Sequence, residues 1–147
     1  MARVKHRVGI RGDVTEIYTS LIHPEKLSRW WASSASGIPQ AGEKLNLVFA
    51  ELATLTFSLS RLQADQEVIL DCTNGPGPWQ GSRLVFTLED AKDQVFLTLV
   101  HENTSASDDD FLYFNTKWPI YLLSLRDYIE TGSGHPYPSD IKIHFGD

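Results

Sequence analysis

The amino-acid sequence predicts an α+β fold in which one antiparallel sheet is covered on one face by a long amphipathic helix. Three observations support this prediction. The first segment alternates between apolar and basic residues, which is typical of a half-buried strand. Five later segments show the same period of two and are separated by turn-forming residues. The last of them is followed by a long stretch whose apolar residues recur every three or four positions, as on one face of a helix.

A first strand and two short helices open the chain. One face of the strand carries Val4, His6, Val8 and Ile10, and the other carries Arg3, Lys5, Arg7 and Gly9. Asp13, with Glu16 three residues after it, is typical of a helix N-cap, so a short helix should follow. His23 and Pro24 should end this helix. Pro24 can then begin a second one that extends to Trp31, because proline is well tolerated in a first helical turn.

The central strands are predicted from apolar faces at 45–49, 55–59, 68–72, 84–88 and 95–101. Turn residues lie between them at 65–66, 74–78 and 90–93. Because short connections join successive strands, we expect an antiparallel meander with one solvated face. The basic face of the first strand indicates a protected edge of this sheet, since charged side chains discourage edge pairing.

The closing helix is predicted from one wide apolar stripe, which comprises Phe111, Phe114, Trp118, Tyr121, Leu122, Leu125, Tyr128 and Ile129. Ser107 or Asp108 should cap its start, and Gly132 its end. Pro119 lies inside the stripe, so we expect it to kink the helix or to make the helix begin afresh near Thr116. The tail that follows is either loose or docks as an edge strand through Ile141, Ile143 and Phe145.

Length and composition narrow the class of protein. A chain of 147 residues can build one core but not two, so we expect a single domain over 1–147, with 132–147 as its tail. The formal net charge of −6 disfavours a nucleic-acid partner. The single cysteine, Cys72, excludes a disulfide framework and fits a reducing compartment. No segment has the apolar length of a signal peptide or a membrane span, so we expect a cytoplasmic protein without membrane insertion.

Four runs, in order along the chain, resemble a known superfamily. The run 22–31, IHPEKLSRWW, resembles the T-x-P-E-x-L-x-x-W-W signature of the START-like SRPBCC superfamily. More narrowly, it is similar to the family named after the activator of heat-shock-protein-90 ATPase. The runs 81–89, 97–101 and 118–132 resemble that family's penultimate strand, its L-T-L-x-H strand and its terminal helix. The resemblance covers roughly residues 3–138.

This resemblance implies a helix-grip fold, in which a curved antiparallel sheet of about six strands wraps around a long C-terminal helix, with two short helices after the first strand. In START-like domains an apolar space between sheet and helix binds small hydrophobic or aromatic molecules, such as lipids, polyketides or flavonoids. We therefore expect a binding protein with a stress-response or regulatory role. One alternative is an enzyme of the polyketide cyclase or aromatase type. Another is a partner that regulates a chaperone ATPase, although the separate chaperone-binding domain of the eukaryotic activator has no counterpart in this chain.

The residues expected to line the ligand site are His6, Trp30, Trp31, Phe49, Phe57, Trp79, Phe86, Leu97, His101, Tyr113, Trp118, Tyr121, Leu122 and Leu125. Neither a catalytic residue nor a metal ligand nor a cofactor is predicted. His6 and His101 lie on the apolar faces of their strands and could approach each other if the first and last strands pair. They could then supply hydrogen bonds to a ligand or a general acid–base group, but a histidine bonded inside the core is the more frequent arrangement. Two histidines without a third ligand do not make a typical zinc site.

Other side chains have simpler interpretations. Of Trp30 and Trp31, adjacent at the end of a helix, we expect one to be buried and the other partly exposed. Trp79 follows a turn rich in glycine and proline and could cap the cavity; this turn lacks the spacing of a phosphate-binding loop. Cys72 should be a small inert side chain on an apolar strand face. The aspartates at 108–110 are better explained by helix capping than by catalysis.

Overall fold

The computed structural model describes residues 1–147 as a seven-stranded antiparallel sheet packed against three helices. The strands are β1 (Ala2–Ile10), β2 (Ser34–Gly37), β3 (Lys44–Phe49), β4 (Ala53–Gln63), β5 (Glu67–Asn74), β6 (Arg83–Asp90) and β7 (Val95–Asn103). The helices are α1 (Val14–Ser20), α2 (Pro24–Trp30) and α3 (Leu112–Thr131), with short 3₁₀ turns at Gly77–Trp79 and Asp109–Phe111. This arrangement confirms the predicted α+β class and helix-grip architecture.

The sheet is a meander in which the first strand returns to the last. The strand order is β1-β7-β6-β5-β4-β3-β2, so the basic strand β1 lies at one edge. Val4 pairs with His101 in the β1–β7 register, and His6 pairs with Leu99. Helix α3 packs across the same side of the sheet as these inward-facing residues, which places the core between α3 and the strands.

The sequence predicts about six strands, and the seventh is β2. This strand has the sequence Ser-Ala-Ser-Gly and pairs only with β3. Its sequence shows no apolar alternation, and none of its four residues is fully buried. A short, small and polar edge strand leaves no periodic signal, which explains why the sequence did not predict it.

The predicted caps at the start of α1 and at the end of α3 are confirmed, whereas neither Ser107 nor Asp108 caps α3. The backbone N–H of Glu16 donates to Asp13 Oδ2 at 3.0 Å at the start of α1. Ser107 and Asp110 bond reciprocally at the 3₁₀ turn that precedes α3: the N–H of Ser107 donates to Asp110 Oδ2 at 2.8 Å, and the N–H of Asp110 donates to Ser107 Oγ at 3.3 Å. Helix α3 itself begins at Leu112 without a side-chain cap, because Phe111 occupies its N-cap position. Gly132 ends α3 with a left-handed φ of 86°.

Of the two outcomes predicted for Pro119, a fresh start of the helix near Thr116 is wrong, because α3 runs without interruption through Pro119. Proline removes its own backbone donor and crowds the carbonyl four residues before it, but the residues on either side of Pro119 are held by the core. Trp118, Tyr121 and Leu122 are all buried against the sheet. Tertiary packing therefore outweighs the local preference of proline.

The tail after α3 docks on the fold, but the predicted edge strand is wrong. Ile141 and Phe145 remain 69% and 48% exposed, so their alternation does not mark a buried face. Polar contacts hold the tail instead: the N–H of Tyr137 donates to the Trp31 carbonyl at 3.0 Å, and two tail aspartates pair with Lys117 of α3. None of the helices combines the length and the apolar composition that a bilayer crossing requires.

Candidate functional site

A cavity of about 370 Å³ lies between α3 and one end of the sheet. The β3–β4 hairpin contributes Phe49, Leu52, Ala53 and Leu55 to its wall. The loop between β5 and β6 contributes residues 76–79, and α3 contributes Tyr113, Phe114 and Tyr121. Asp110, before α3, and Gly146, in the tail, complete the lining. The wall is therefore mainly apolar and aromatic, with two phenol hydroxyls and one carboxylate.

Four of the predicted site residues lie on this wall: Phe49, Trp79, Tyr113 and Tyr121. Nine others are packed in the core behind it, namely Trp30, Trp31, Phe57, Phe86, Leu97, His101, Trp118, Leu122 and Leu125. His6 lies apart from the cavity, in a surface groove that also contains Pro119 and Leu123. A ligand role for any of these residues stays a prediction.

Tryptophan rings fill the inner part of the space between helix and sheet. Trp31 packs against Trp30, Phe57 and Trp118, with ring centroids 5.4, 6.0 and 5.4 Å away. Its ring also contacts three residues of the cavity wall, Phe49, Trp79 and Tyr121. The cavity is thus confined to the outer end of the interface between helix and sheet.

The expectation that one of the two adjacent tryptophans would be partly exposed is wrong. Trp30 and Trp31 are 0% and 1% exposed. Trp31 caps α2 with φ −124° and ψ −68°, so its side chain no longer follows the helical repeat. It turns inward and stacks on Trp30 with an interplanar angle of 19°.

His101 is the centre of a buried hydrogen-bond network. Trp118 Nε1–H donates to His101 Nδ1 at 2.9 Å. Because an indole nitrogen can only donate, His101 Nδ1 is the unprotonated nitrogen, and its Nε2–H donates to Ser82 Oγ at 2.8 Å. The Ser82 hydroxyl in turn donates to the Pro78 carbonyl at 2.6 Å.

This network ties the 76–79 wall of the cavity to α3 and β7. Asn103 Nδ2 also donates to the Pro78 carbonyl, at 2.8 Å. Trp79 stacks on the His101 ring at 4.9 Å. Burial lowers the pKa of His101 to about 3, so its imidazole is neutral at physiological pH.

The two histidines therefore do not form an acid–base pair. Both nitrogens of His101 are engaged in the core, and His6 Nε2 pairs with Asn115 Oδ1 at 3.1 Å on the far side of α3 from the cavity wall. The cyclase-type alternative relied on these two side chains, and neither lines the cavity. Cys72 is buried, and burial raises its pKa to about 11, so its thiol is inert.

Two tyrosines and a lysine form a polar group, of which the sequence predicted only the tyrosines as site residues. The hydroxyls of Tyr113 and Tyr121 lie 3.3 Å apart. Lys117 Nζ lies 5.6 Å from the Tyr121 ring centroid and is fully buried. It contacts the Ile141 carbonyl at 2.7 Å, Asp140 Oδ2 at 2.7 Å and Asp147 Oδ2 at 2.5 Å.

Burial acts to lower the pKa of Lys117, but the hydrogen bonds to Asp140 and Asp147 outweigh it and hold the pKa above its usual value. The sequence contains a signal for this residue. Lys117 lies three positions after Phe114 and four before Tyr121, so it falls on the apolar stripe of α3. A lysine on a buried stripe requires acidic partners, and the tail provides them.

Comparison with known proteins gives one family. The family model described as "Activator of Hsp90 ATPase homolog 1-like protein" matches residues 12–130. The solution structure of the Aha1 dimer from Colwellia psychrerythraea is 31% identical to this chain, with a TM-score of 0.80; the match covers 91% of this chain and 100% of that one. A search of curated proteins finds no relative.

More distant structures share the fold. CalU16 from Micromonospora echinospora is 19% identical, with a TM-score of 0.78 over 97% of this chain and 74% of that one. DynU16, from the dynemicin biosynthetic locus, is 16% identical, with a TM-score of 0.79 over 90% of this chain. The match covers 48% of the DynU16 chain, so the present chain spans about half of it.

Proposed function

Because the chain belongs to the family of Activator of Hsp90 ATPase homolog 1-like proteins, within the START-like superfamily, we propose that it binds a small hydrophobic or aromatic molecule in the cavity between α3 and the sheet. The observation that carries this proposal is the cavity itself. Its volume of about 370 Å³ falls in the range of small-molecule sites, and its wall is mainly apolar with a few polar groups.

The arrangement of the wall supports binding by a preformed site. Trp79 packs edge-on against Phe114 at 4.7 Å, and the His101 network fixes the loop that carries Trp79. An apolar ligand would then gain contact area without the cost of ordering this loop. We extend the proposal to residues 1–147 as one START-like domain, because β1 pairs with β7 and the tail contributes Gly146 to the cavity. A cytoplasmic location in a stress-response or regulatory role would fit a chain with one unpaired cysteine.

Chemical-shift perturbation tests the proposal. ¹⁵N-labelled protein would be titrated with flavone, an anthraquinone and decanoate, which represent aromatic, polyketide-like and lipid ligands. We expect at least one of them to shift the amides of the cavity wall. If all three leave these amides unmoved, the binding proposal is refuted.

A cavity-filling variant locates the binding. Ala53→Trp would occupy the cavity, since Ala53 is a small residue of its wall. Ala91→Trp makes the same chemical change in the exposed turn before β7 and serves as the control. Ala53→Trp should abolish the shifts, and Ala91→Trp should preserve them. Equal binding by both variants would contradict a site in this cavity.

A second candidate function, regulation of a chaperone ATPase, is favoured by the family and by the 31% identity with the Colwellia Aha1. The measurement is the ATPase rate of Hsp90 from the same source as a function of added protein. An unchanged rate at a large excess of this protein would exclude the role.

A further inference from the structure

The cavity wall carries one charged side chain, the carboxylate of Asp110. Its Oδ2 accepts the Ser107 N–H at 2.8 Å, which fixes the side chain in the 3₁₀ turn that precedes α3. Asp110 is exposed and forms no ion pair within the protein, so a cation from solvent can reach it. No lysine, arginine or histidine lines the cavity. The wall therefore presents one carboxylate without a positive partner.

Aromatic rings occupy the same wall as this carboxylate. Tyr113 and Phe114 follow Asp110 by three and four positions, which is the spacing that places side chains on one face of a helix. The ring centroids of Tyr113 and Phe114 are 5.6 Å apart, and the Trp79 ring lies 4.7 Å from that of Phe114. The other rings of the wall belong to Phe49 and Tyr121. The faces of such rings attract cations, those of tryptophan most strongly.

The positive charges near the wall are neutralised. Lys117 is fully buried and forms ion pairs with Asp140 and Asp147 at 2.7 and 2.5 Å. Lys142 also pairs with Asp140, so this cluster holds two ammonium groups and two carboxylates and has no net charge. The N-terminus of α3 carries a partial positive charge of about half a unit, which the three consecutive aspartates at 108–110 exceed. The field at the wall is therefore negative.

From the carboxylate, the rings and the lack of a basic residue on the wall, we propose that the cavity selects compact aromatic or apolar amines, whose ammonium group lies between Asp110 and the aromatic rings. The inference rests on the proposed binding function and specifies its ligand class. The apolar part of the amine would be buried against the wall. Because Asp110 is exposed, the ammonium group would keep part of its hydration while it gains an ion pair and cation–π contacts. A carboxylate would be repelled.

Three probes with one ring test the role of charge: benzylamine is a cation at neutral pH, benzyl alcohol is uncharged, and benzoate is an anion. Titrations of ¹⁵N-labelled protein at low salt are followed by the amide shifts of the cavity wall. Benzylamine should bind about tenfold more tightly than benzyl alcohol, and benzoate more weakly than either. Added NaCl, up to about 500 mM, should weaken the binding of benzylamine and change that of benzyl alcohol little, because salt screens the exposed carboxylate.

Three variants test the site itself. Asp110→Asn removes the charge but keeps an oxygen that can accept the Ser107 N–H, so the ratio of benzylamine to benzyl alcohol affinity should fall at least about threefold in a folded protein. Asp109→Asn is the matched control, since it makes the same change of net charge at an adjacent residue that does not line the cavity, and it should preserve the ratio. Ala53→Trp, which fills the cavity, should bind neither probe.

The outcomes separate the inference from the function on which it rests. Equal affinities of the wild-type protein for benzylamine and benzyl alcohol would overturn the inference and leave the binding function intact. Equal losses in Asp109→Asn and Asp110→Asn would also overturn it, because they would indicate overall charge rather than a contact at the wall. Benzylamine that still binds Ala53→Trp would have the same effect, as would undetectable benzylamine binding. Failure of the flavone, anthraquinone and decanoate titrations would instead remove the proposed function.

Discussion

A variant with glutamine in place of His101 should lose much less stability between pH 7 and pH 5 than the wild-type protein does. His101 is fully buried, and burial lowers its pKa to about 3 in the folded protein. In the unfolded chain its pKa returns to about 6.5. Between these two pH values the unfolded state therefore binds more protons than the folded state. The contribution of His101 to stability is consequently present above pH 6.5 and is lost as the pH falls.

The magnitude follows from the two pKa values. Linkage gives a loss of about 2 kcal/mol at pH 5 relative to pH 7, and a limit of about 5 kcal/mol below pH 3. Asp147 acts in the same direction at more acidic pH. Burial raises the pKa of its carboxyl, but Lys117 and backbone N–H groups outweigh burial and hold the pKa below its usual value. The window from pH 7 to pH 5 therefore isolates the histidine.

Urea unfolding monitored by tryptophan fluorescence at pH 7 and pH 5 measures the loss. His101→Gln should be less stable than the wild-type protein at pH 7, because Trp118 and Ser82 lose their partner. Its free energy of unfolding should nevertheless change little between the two pH values. His6→Gln, outside the network, should retain the full wild-type loss. A His101→Gln protein that still loses about 2 kcal/mol would refute the reasoning.

Four substitutions test the tail anchor and the helix caps, each by the urea midpoint at pH 7 against the wild-type protein. Lys117→Met should cost about 3–5 kcal/mol, because it leaves the buried carboxylate of Asp147 without a cation and that of Asp140 with Lys142 alone, and a loss below 1 kcal/mol would contradict a buried ion cluster. Asp147→Asn should cost clearly less, since Lys117 keeps Asp140; a larger loss than for Lys117→Met would reverse this argument. Gly132→Ala should cost about 1 kcal/mol through its φ of 86° alone, as no atom lies within 4 Å of an added Cβ, and no change in midpoint would contradict the left-handed cap. Asp13→Ala should cost about 1 kcal/mol as a lost N-cap, and an unchanged midpoint would contradict that cap.

Periodic burial made most of the fold predictable. Strands β3 to β7 alternate between core and solvent, and the stripe of α3 recurs every three or four residues, so each element contains its own signal. Strand β2 contains none, because its small polar residues pair at an edge and bury little. The tail shows the opposite error: Ile141, Ile143 and Phe145 alternate in sequence without forming a strand, since polar contacts to Lys117 decide where the tail lies.

The candidate site was less predictable than the fold, because the same apolar pattern describes a packed core and a cavity wall. Inward position alone does not distinguish Phe57, which is fully buried, from Phe49, which reaches the cavity. The distinction depends on how three-dimensional packing distributes volume, and a sequence period contains no information on volume. Trp31 shows this directly, since the end of α2 turns its ring into space that a helical repeat would have left to a ligand.

The tryptophan core also restricts what the cavity can hold. Trp30, Trp31 and Trp118 are fully buried and occupy the inner part of the interface between helix and sheet. The remaining volume of about 370 Å³ is near the lower limit for small-molecule sites. A compact molecule of one or two rings fits this space better than a long acyl chain, whose tail would have to extend past the half-exposed Leu52 into water. The packed tryptophans therefore limit the length of any ligand that this cavity holds.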